Sequence, residues 1–410
     1  MPCKILISTT VGWTSTARHA AGFSRAGCTV EALAPKGSPL LASRYVSARH
    51  PYRSVFARAS LREAIGRAKP DLIVGSDDRA VENLLGLYRE EPKDSFIATV
   101  IERSLGTPER YAGMISRETF MRTARGLGIR TPDTVPVASA DVLDDCLDII
   151  GLPAVVKADG SWGGEGIAVV KSREEAHAAF RKLGYPPLRA RSLARAVKRR
   201  DGHWLMAAAA PQRRAVSLQR FIPGRPAASA FACWKGEVVG AIYYDVLCAD
   251  GAIGPPQVIR RVDCPEIAEA TRRVARHFGL SGLHGMDFIR DEAGRVHLLE
   301  INPRPTQGGT LPFGPGRDLA ASLASCISPG AKPRPAIAND TVVFFAQEWQ
   351  RDPESAYLKA GHHDVPWDDP MILRACLQDA RPAAKRMRSA TQDAARADGP
   401  LALTGSLVRS

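Results

Sequence analysis

Residues 285–304, with the sequence GMDFIRDEAGRVHLLEINPR, contain the side chains whose types and spacing are best suited to chemistry. The segment predicts a β-hairpin whose paired strands place Asp287 and Glu300 on one face. Asn302 lies two residues after Glu300, so its side chain points the same way along an extended strand. Carboxylate and amide oxygens suit Mg²⁺, and Arg304 adds a bidentate donor for a phosphate or acyl-phosphate oxyanion. A hairpin with ordinary acidic residues beside its turn is the alternative, and the hairpin alone does not decide between them.

Residues 157–166, with the sequence KADGSWGGEG, predict a glycine-rich loop that follows a strand. Glycines let backbone N–H groups approach phosphate oxygens closely, and Lys157 at the end of the strand can reach the same phosphates. The loop is not a Walker A motif, because no Gly-Lys-Ser/Thr sequence follows at the start of a helix, and a flexible hairpin tip is the alternative. The candidate nucleotide-binding residues of this segment are Lys157, Gly160, Ser161, Trp162, Gly163, Gly164, Glu165 and Gly166.

A third candidate element comprises Gln219, Arg220, Phe221 and Ile222. A strand at the junction of two subdomains offers backbone N–H and C=O groups to the edge of an adenine, while Phe221 and Ile222 supply apolar walls. Taken alone, the same four residues are more typical of a core strand.

Alternating strands and helices must position these segments. Near the N-terminus, strands are predicted at residues 4–8, 28–33 and 71–75, with helices at residues 17–26 and 60–68. Strands that alternate with helices form right-handed βαβ units and a parallel sheet. Residues 8–16 lack a GxGxxG sequence, so we expect this sheet to support the rest of the chain without binding a dinucleotide.

The composition is that of a globular protein of two or three domains, with 410 residues and 45% hydrophobic content. No stretch is apolar for long enough to span a membrane, and residues 1–13 lack a secretory pattern, so we expect a cytoplasmic location and no membrane partner. The eight cysteines are scattered without zinc-ligand spacing and are expected to be reduced.

The net charge of +13 raises the hypothesis of nucleic-acid binding, because clustered Lys and Arg neutralise phosphates. Much of the excess lies in residues 181–214 and in the C-terminal tail, without a recognised nucleic-acid motif. Solvated basic surface is the favoured interpretation, so nucleic acid is not an expected partner.

In this order, the three elements resemble the ATP-grasp superfamily, and most closely its carbamoyl-phosphate synthetase and biotin carboxylase branch. The resemblance covers about residues 107–315. It implies an α/β (α+β) fold in which a Rossmann-like pre-ATP-grasp domain precedes an ATP-grasp domain of two α+β subdomains. The expected boundaries are 1–106 for the first domain and 107–330 for the second, with a glycine-rich lid subdomain at about 150–222 and a metal-binding subdomain at about 223–330. Residues 331–380 are expected to form a C-terminal extension, and residues 381–410 a disordered tail.

The resemblance assigns roles to individual residues. The matched positions are Arg117 and Lys157 for phosphate contact, Gly163, Gly164 and Gly166 for the loop, Asp287, Glu300 and Asn302 for Mg²⁺, and Arg304 for the reactive phosphate intermediate. Gln219 falls where the family usually has a Glu facing the adenine amine. Two further departures are Asp287, where Glu or Gln is more usual, and residues 224–228, which lack the Glu that binds the ribose in many members.

The activity implied by the resemblance is that of a carboxylate–amine ligase, with small-molecule substrates. A carboxylate attacks the γ-phosphate of ATP, with two Mg²⁺ (or Mn²⁺) ions and Lys157 neutralising charge, and an amine then attacks the acyl-phosphate. Residues 305–310 are placed to meet the substrate, and Arg260 or Arg261 could hold its carboxylate. A non-catalytic nucleotide-binding or regulatory protein is the alternative. The oligomeric state stays open, although homodimers are frequent in the family.

Overall fold

The computed structural model describes residues 2–160, 166–184, 214–251 and 254–379. The chain begins with a four-stranded parallel sheet of order β3-β2-β1-β4, which confirms the predicted βαβ units. Its strands are β1 (Lys4–Ser8), β2 (Thr29–Ala34), β3 (Ala48–Pro51) and β4 (Leu72–Gly75), and its helices are α1 (Thr14–Arg25), α2 (Pro39–Ala42), α3 (Ala57–Ala68), α4 (Asp78–Glu90) and α5 (Phe96–Leu105). Ile5, Leu6 and Ile7 are fully buried, as expected for a parallel sheet covered on both faces.

Two helices, α6 (Tyr111–Ile115) and α7 (Arg117–Gly126), lead to a four-stranded antiparallel sheet of order β5-β8-β6-β7. Its strands are β5 (Thr134–Val137), β6 (Ala154–Ala158), β7 (Ile167–Val170) and β8 (Val216–Arg220), and helices α8 (Leu143–Ile150) and α9 (Arg173–Gly184) pack on it. Val156, Phe180 and Leu218 belong to a core cluster that contains only residues of this unit. We call it the lid, because it contains the glycine-rich hairpin formed by β6 and β7.

The rest of the described chain forms a seven-stranded sheet of order β13-β12-β9-β10-β11-β14-β15. The strands are β9 (Arg225–Trp234), β10 (Glu237–Ala249), β11 (Pro256–Arg261), β12 (Gly282–Arg290), β13 (Val296–Asn302), β14 (Thr341–Phe344) and β15 (His362–Asp364). The helices are α10 (Pro265–Phe278), α11 (Leu319–Ser325), α12 (Gln347–Arg351), α13 (Ala356–Ala360) and α14 (Pro370–Asp379). Strands β14 and β15 come from the segment expected to be a C-terminal extension, and they complete one edge of this sheet.

Two hydrophobic clusters cross the border between the N-terminal domain and the seven-stranded sheet. One contains Leu6 and Ile101 together with Phe231, and the other contains Phe23 together with Ile242 and Leu319. Burial of apolar surface at about 25 cal/mol per Å² makes such shared clusters the main source of cohesion between packed layers. The N-terminal domain and the seven-stranded sheet are therefore packed as one unit, to which the lid is appended.

Two expectations about the chain as a whole need comment. Cys3 and Cys28 form a disulfide with a Cα–Cα distance of 4.9 Å, so the prediction that every cysteine is reduced is wrong at this pair, which the parallel pairing of β1 with β2 brings together. None of the helices within the described ranges is long and apolar enough to cross a membrane. The predicted disordered tail, and residues 185–213 of the basic segment 181–214, lie outside the described residues.

Candidate active site

The predicted hairpin is present, and it brings the candidate metal ligands together. Asp287 on β12 is the direct cross-strand partner of Glu300 on β13, in an antiparallel pair. The Asn302 side chain lies beside them, and its Nδ2 donates to Oδ2 of Asp287 at 2.9 Å. The register follows from the short turn at residues 291–294, where the Asp291 carboxylate accepts from the Arg295 backbone N–H at 2.9 Å.

The two paired carboxylates carry opposite pKa shifts. Burial, and then the neighbouring Glu300, raises the pKa of Asp287 to about 7. Burial also opposes ionisation of Glu300, but Arg117 and Lys157 together hold its pKa below the usual value. Two close carboxylates in a low-dielectric site repel each other, and a divalent cation relieves that repulsion. The donor set therefore fits Mg²⁺. Among the described residues no group of three or more His, Cys, Asp or Glu side chains offers a competing metal site.

Two cationic side chains face the carboxylates from the lid and from α7. Arg117 donates from Nη2 to Oε2 of Glu300 at 3.2 Å, and it also donates to the carbonyl oxygen of Ala158. Lys157, at the end of β6, is 5% exposed. Burial, reinforced by Arg117 and opposed by Glu300, lowers the pKa of Lys157 to about 8. Arg117 and Lys157 thus form a cationic wall opposite the carboxylates, which is suited to phosphate oxygens.

The glycine-rich loop is described only at its two ends. Gly160 and Gly166 line the cleft, and Gly160 has a φ of +64°, a left-handed conformation that favours glycine. Ser161, Trp162, Gly163, Gly164 and Glu165 lie outside the described residues.

The predicted adenine strand is present as β8, although its glutamine is occupied elsewhere. Gln219 is 2% exposed, and its Nε2 donates to Oγ1 of Thr134 at 3.0 Å within the lid. Arg220 pairs with Asp133 at the lid surface. Phe221 and Ile222 follow the strand and are partly buried. The structure thus places the Gln219 amide inside the lid sheet, away from the lining of the cleft.

Arg304 is held by residues of the N-terminal domain. Its Nε donates to Oδ2 of Asp78 at 2.8 Å, and its Nη2 donates to Oδ1 of Asn302 at 3.1 Å. Its guanidinium carbon lies 5.2 Å from the centroid of the Trp13 ring, within the range of a cation–π contact. The neighbouring Asp77 accepts from the backbone N–H of Thr10 at 2.6 Å, which fixes the loop after β1 to the start of α4.

Several of these groups line one cleft that is open to solvent, whereas Asp287 and Lys157 are not among its lining residues. Its lining residues are Asp78, Val81, Glu82, Met114, Ile115, Arg117, Phe120, Gly160, Gly166, Ile167, Leu299, Glu300, Ile301, Asn302, Pro303 and Arg304. The expectation that the N-terminal sheet only supports the rest is wrong, because Asp78, Val81 and Glu82 form part of the wall. The overlooked signal is their place after β4, beside β1 in a parallel sheet, since ligands bind at the carboxyl ends of such strands.

Two other predicted substrate contacts lie away from this cleft. Arg261 donates from Nε to Asp340 at 2.6 Å, and Arg260 donates to Thr341 at 3.4 Å, so both are engaged with the edge formed by β14. Within residues 305–310, Gly308 is buried so closely against Tyr244 that an added Cβ would lie 2.5 Å from its ring. Neither Arg260 nor Arg261 is among the residues that line the cleft, so its geometry gives their predicted role no support.

Residues 205–308 match the family model of the ATP-grasp domain. The predicted resemblance to the ATP-grasp superfamily is confirmed. The carbamoyl phosphate synthase large chain of Pyrococcus furiosus is 22% identical over 274 residues, which are 61% of this chain and 22% of that protein. The chain therefore spans about a fifth of the length of this curated relative.

Solved structures resemble about four fifths of the chain in fold. The biotin carboxylase of Campylobacter jejuni, in a βγ-ATP complex, matches with a TM-score of 0.57 and 15% identity over 81% of this chain and 72% of that chain. The carboxyaminoimidazole ribonucleotide synthase of Aspergillus clavatus, complexed with ATP, matches with a TM-score of 0.57 and 14% identity over 81% of this chain and 78% of that chain. At these identities the likeness concerns the fold, and the predicted α/β architecture is confirmed.

Proposed function

We propose that this chain is an ATP- and Mg²⁺-dependent ligase that activates a carboxylate as an acyl-phosphate and transfers it to an amine, with release of ADP and phosphate. The observation that carries the proposal is the convergence of Arg117, Lys157 and Arg304 on the Asp287–Glu300 pair. A cationic wall facing paired carboxylates is the arrangement that phosphoryl transfer from a metal-bound nucleotide requires.

Each side chain has a distinct role in this proposal. Asp287, Glu300 and Asn302 hold Mg²⁺, which supplies charge neutralisation on the transferred phosphoryl group. Arg117 and Lys157 contact the phosphate oxygens. As a carboxylate oxygen bonds to the γ-phosphorus, the bond to the bridging oxygen breaks and ADP leaves. Arg304, aligned by Asp78 and Trp13, donates to the resulting acyl-phosphate.

Hydroxylamine provides a test that does not require the natural amine. The full chain is incubated with MgATP, hydroxylamine and each of the standard amino acids and small dicarboxylic acids in turn, and ADP and hydroxamate are measured. We expect equal amounts of both products with at least one acid. Lys157→Met is expected to lose about a thousandfold in rate, because it removes a cation that faces the transferred phosphoryl group. Lys171→Met, at an exposed position after β7, is the matched control.

Two outcomes would contradict the proposal. Stabilisation by MgATP without hydroxamate from any acid would favour a non-catalytic nucleotide-binding protein. If MgATP neither stabilised the protein nor supported product formation, the proposed nucleotide-binding site would be contradicted.

A further inference from the structure

Among the described residues that line the cleft, one carboxylate, that of Glu82, forms no hydrogen bond or ion pair. Asp78, Glu82 and Glu300 are the carboxylates among its described lining residues. Asp78 is paired with Arg304, and Glu300 is paired with Arg117. Glu82 forms no hydrogen bond or ion pair with any residue in the described part of the chain. It lies one helical turn after Asp78 on α4, so both side chains project from the same face of the helix.

The surroundings of Glu82 suit a group that accepts a proton. Its side chain is exposed at the open side of the cleft. Partial desolvation by the surrounding residues, and then the carboxylate of Asp78, raises the pKa of Glu82, while Arg79 opposes the shift. A carboxylate with a raised pKa accepts a proton at neutral pH more readily than an ordinary surface Glu.

The second half of the proposed reaction needs such a group. An aliphatic amine is protonated in neutral water, so it must lose one proton before its lone pair can attack and another as the C–N bond forms. The segment after Arg304, residues 305–310, reads PTQGGT and contains no acid. Asp287 and Glu300 are assigned to the metal. Among the described residues that line the cleft, Glu82 is therefore the carboxylate left to serve the amine.

We propose that Glu82 binds the ammonium group of a primary-amine substrate and accepts its proton during ligation. This inference rests on the proposed ligase function. The ammonium group first gives one proton to the Glu82 carboxylate, which passes it to water. The freed nitrogen lone pair then attacks the carbonyl carbon of the acyl-phosphate, and the C–N bond forms. The C–O bond to phosphate breaks, and phosphate leaves with the electron pair and takes up the second nitrogen-bound proton.

A comparison of two nucleophiles tests this assignment. Hydroxylamine is unprotonated at neutral pH and attacks acyl-phosphates without a base, whereas ammonium chloride and the amino acids enter as ammonium ions. With the acid identified by the hydroxamate assay, Glu82→Gln is expected to lower the amine-dependent release of ADP by about a hundredfold. Hydroxamate formation should fall by less than about threefold. Glu82→Asp should recover part of the amine-dependent rate, and Glu90→Gln, at the exposed end of α4, is the matched control.

The remaining outcomes separate the two proposals. Equal amine-dependent rates in Glu82→Gln and the wild type would overturn the role of Glu82 and leave the ligase function intact. If Glu82→Gln lost the reactions with both nucleophiles and also lost stabilisation by MgATP, Glu82 would have a structural role, and its proposed role toward the amine would again be overturned. A wild type that forms hydroxamate but uses none of the amines would overturn the amine-binding assignment. A wild type that forms no hydroxamate would contradict the ligase function itself.

Discussion

Arg117 and Glu300 form an ion pair across the cleft, with 3.2 Å between Nη2 and Oε2. The pair connects the first turn of α7 to the end of β13. Without bound nucleotide, Arg117, the proposed phosphate-binding cation, therefore neutralises Glu300, a proposed metal ligand. Under the proposed function, nucleotide binding exchanges this contact for one between Arg117 and a phosphate oxygen. Charge-assisted bonds of both kinds are strong, so the exchange leaves neither buried charge without a partner.

Replacement of Glu300 should abolish the stabilisation of the folded protein by MgATP. At a MgATP concentration about a hundred times its Kd, binding adds about 2.7 kcal/mol to the free energy of unfolding and raises Tm by about 3 °C. Glu300→Gln is expected to abolish this increase, because the substitution removes a charged metal ligand. Thermal unfolding with and without MgATP measures it. Glu292→Gln, at the exposed turn of the same hairpin, should behave as the wild type, and an undiminished increase in Glu300→Gln would contradict the metal assignment.

Asp78→Asn should affect turnover more than nucleotide binding. The substitution removes the charge that aligns Arg304, and we expect kcat for hydroxamate formation to fall about tenfold. Stabilisation by MgATP should be unchanged, because Asp78 does not contact the Asp287–Glu300 pair. Asp94→Asn, in an exposed loop of the same domain, is the control. If stabilisation by MgATP were lost together with kcat, Asp78 would have only a structural role.

Gly308→Ala should destabilise the protein by about 1–3 kcal/mol, because the new methyl group would overlap the Tyr244 ring. The added Cβ would lie 2.5 Å from Cε1 of that ring. Gly66→Ala is the contrasting variant, since its Cβ meets nothing within 4 Å and the position is an exposed helical one. Urea unfolding of the three proteins compares them. Equal stability of Gly308→Ala and the wild type would show that the loop after Arg304 can shift.

The buried His284 should make the protein sensitive to acid. Burial lowers the pKa of His284 to about 4, against an opposing contribution from its hydrogen bond to the Ser281 carbonyl. Below about pH 6.5, His284 is protonated in the unfolded chain but stays neutral in the folded chain. The free energy of unfolding therefore falls as the pH decreases toward about 4.

His284→Gln removes this titration and keeps a donor for the Ser281 carbonyl. The loss of unfolding free energy between about pH 7 and about pH 5 should therefore be about 2 kcal/mol smaller than in the wild type. Urea unfolding at both pH values measures it, and His277→Gln, at an exposed position on α10, is the control. An identical pH dependence in all three proteins would contradict the assignment.

The sequence was sufficient for the parts of the site that depend on local geometry. The spacing of Asp287, Glu300 and Asn302 around a short turn determines that they share one face of a hairpin, and the structure shows this arrangement. The strand that carries Lys157 is predictable in the same way, because its apolar run stops at a glycine-rich segment. Such elements depend on side-chain alternation over a few residues.

The N-terminal contribution to the cleft was not predictable from local patterns. Asp78 meets Arg304 across 226 positions of the chain, and no periodicity encodes a contact of that separation. Gln219 was assigned by resemblance to an adenine contact, but its side chain hydrogen bonds to Thr134, whose approach depends on the pairing of β5 with β8. Both features arise from tertiary packing, which decides the environment of a side chain after its strand or helix has formed.

The hydrophobic clusters that join the N-terminal domain to the seven-stranded sheet determine which wall of the cleft is rigid. Asp78, Glu82 and Arg304 belong to this joint unit, so the side of the cleft that they form keeps its shape unless the shared core is disrupted. Lys157 belongs to the lid, whose core is its own. The cleft thus lies between a wall whose shape is held by a shared core and a lid whose packing does not depend on that core.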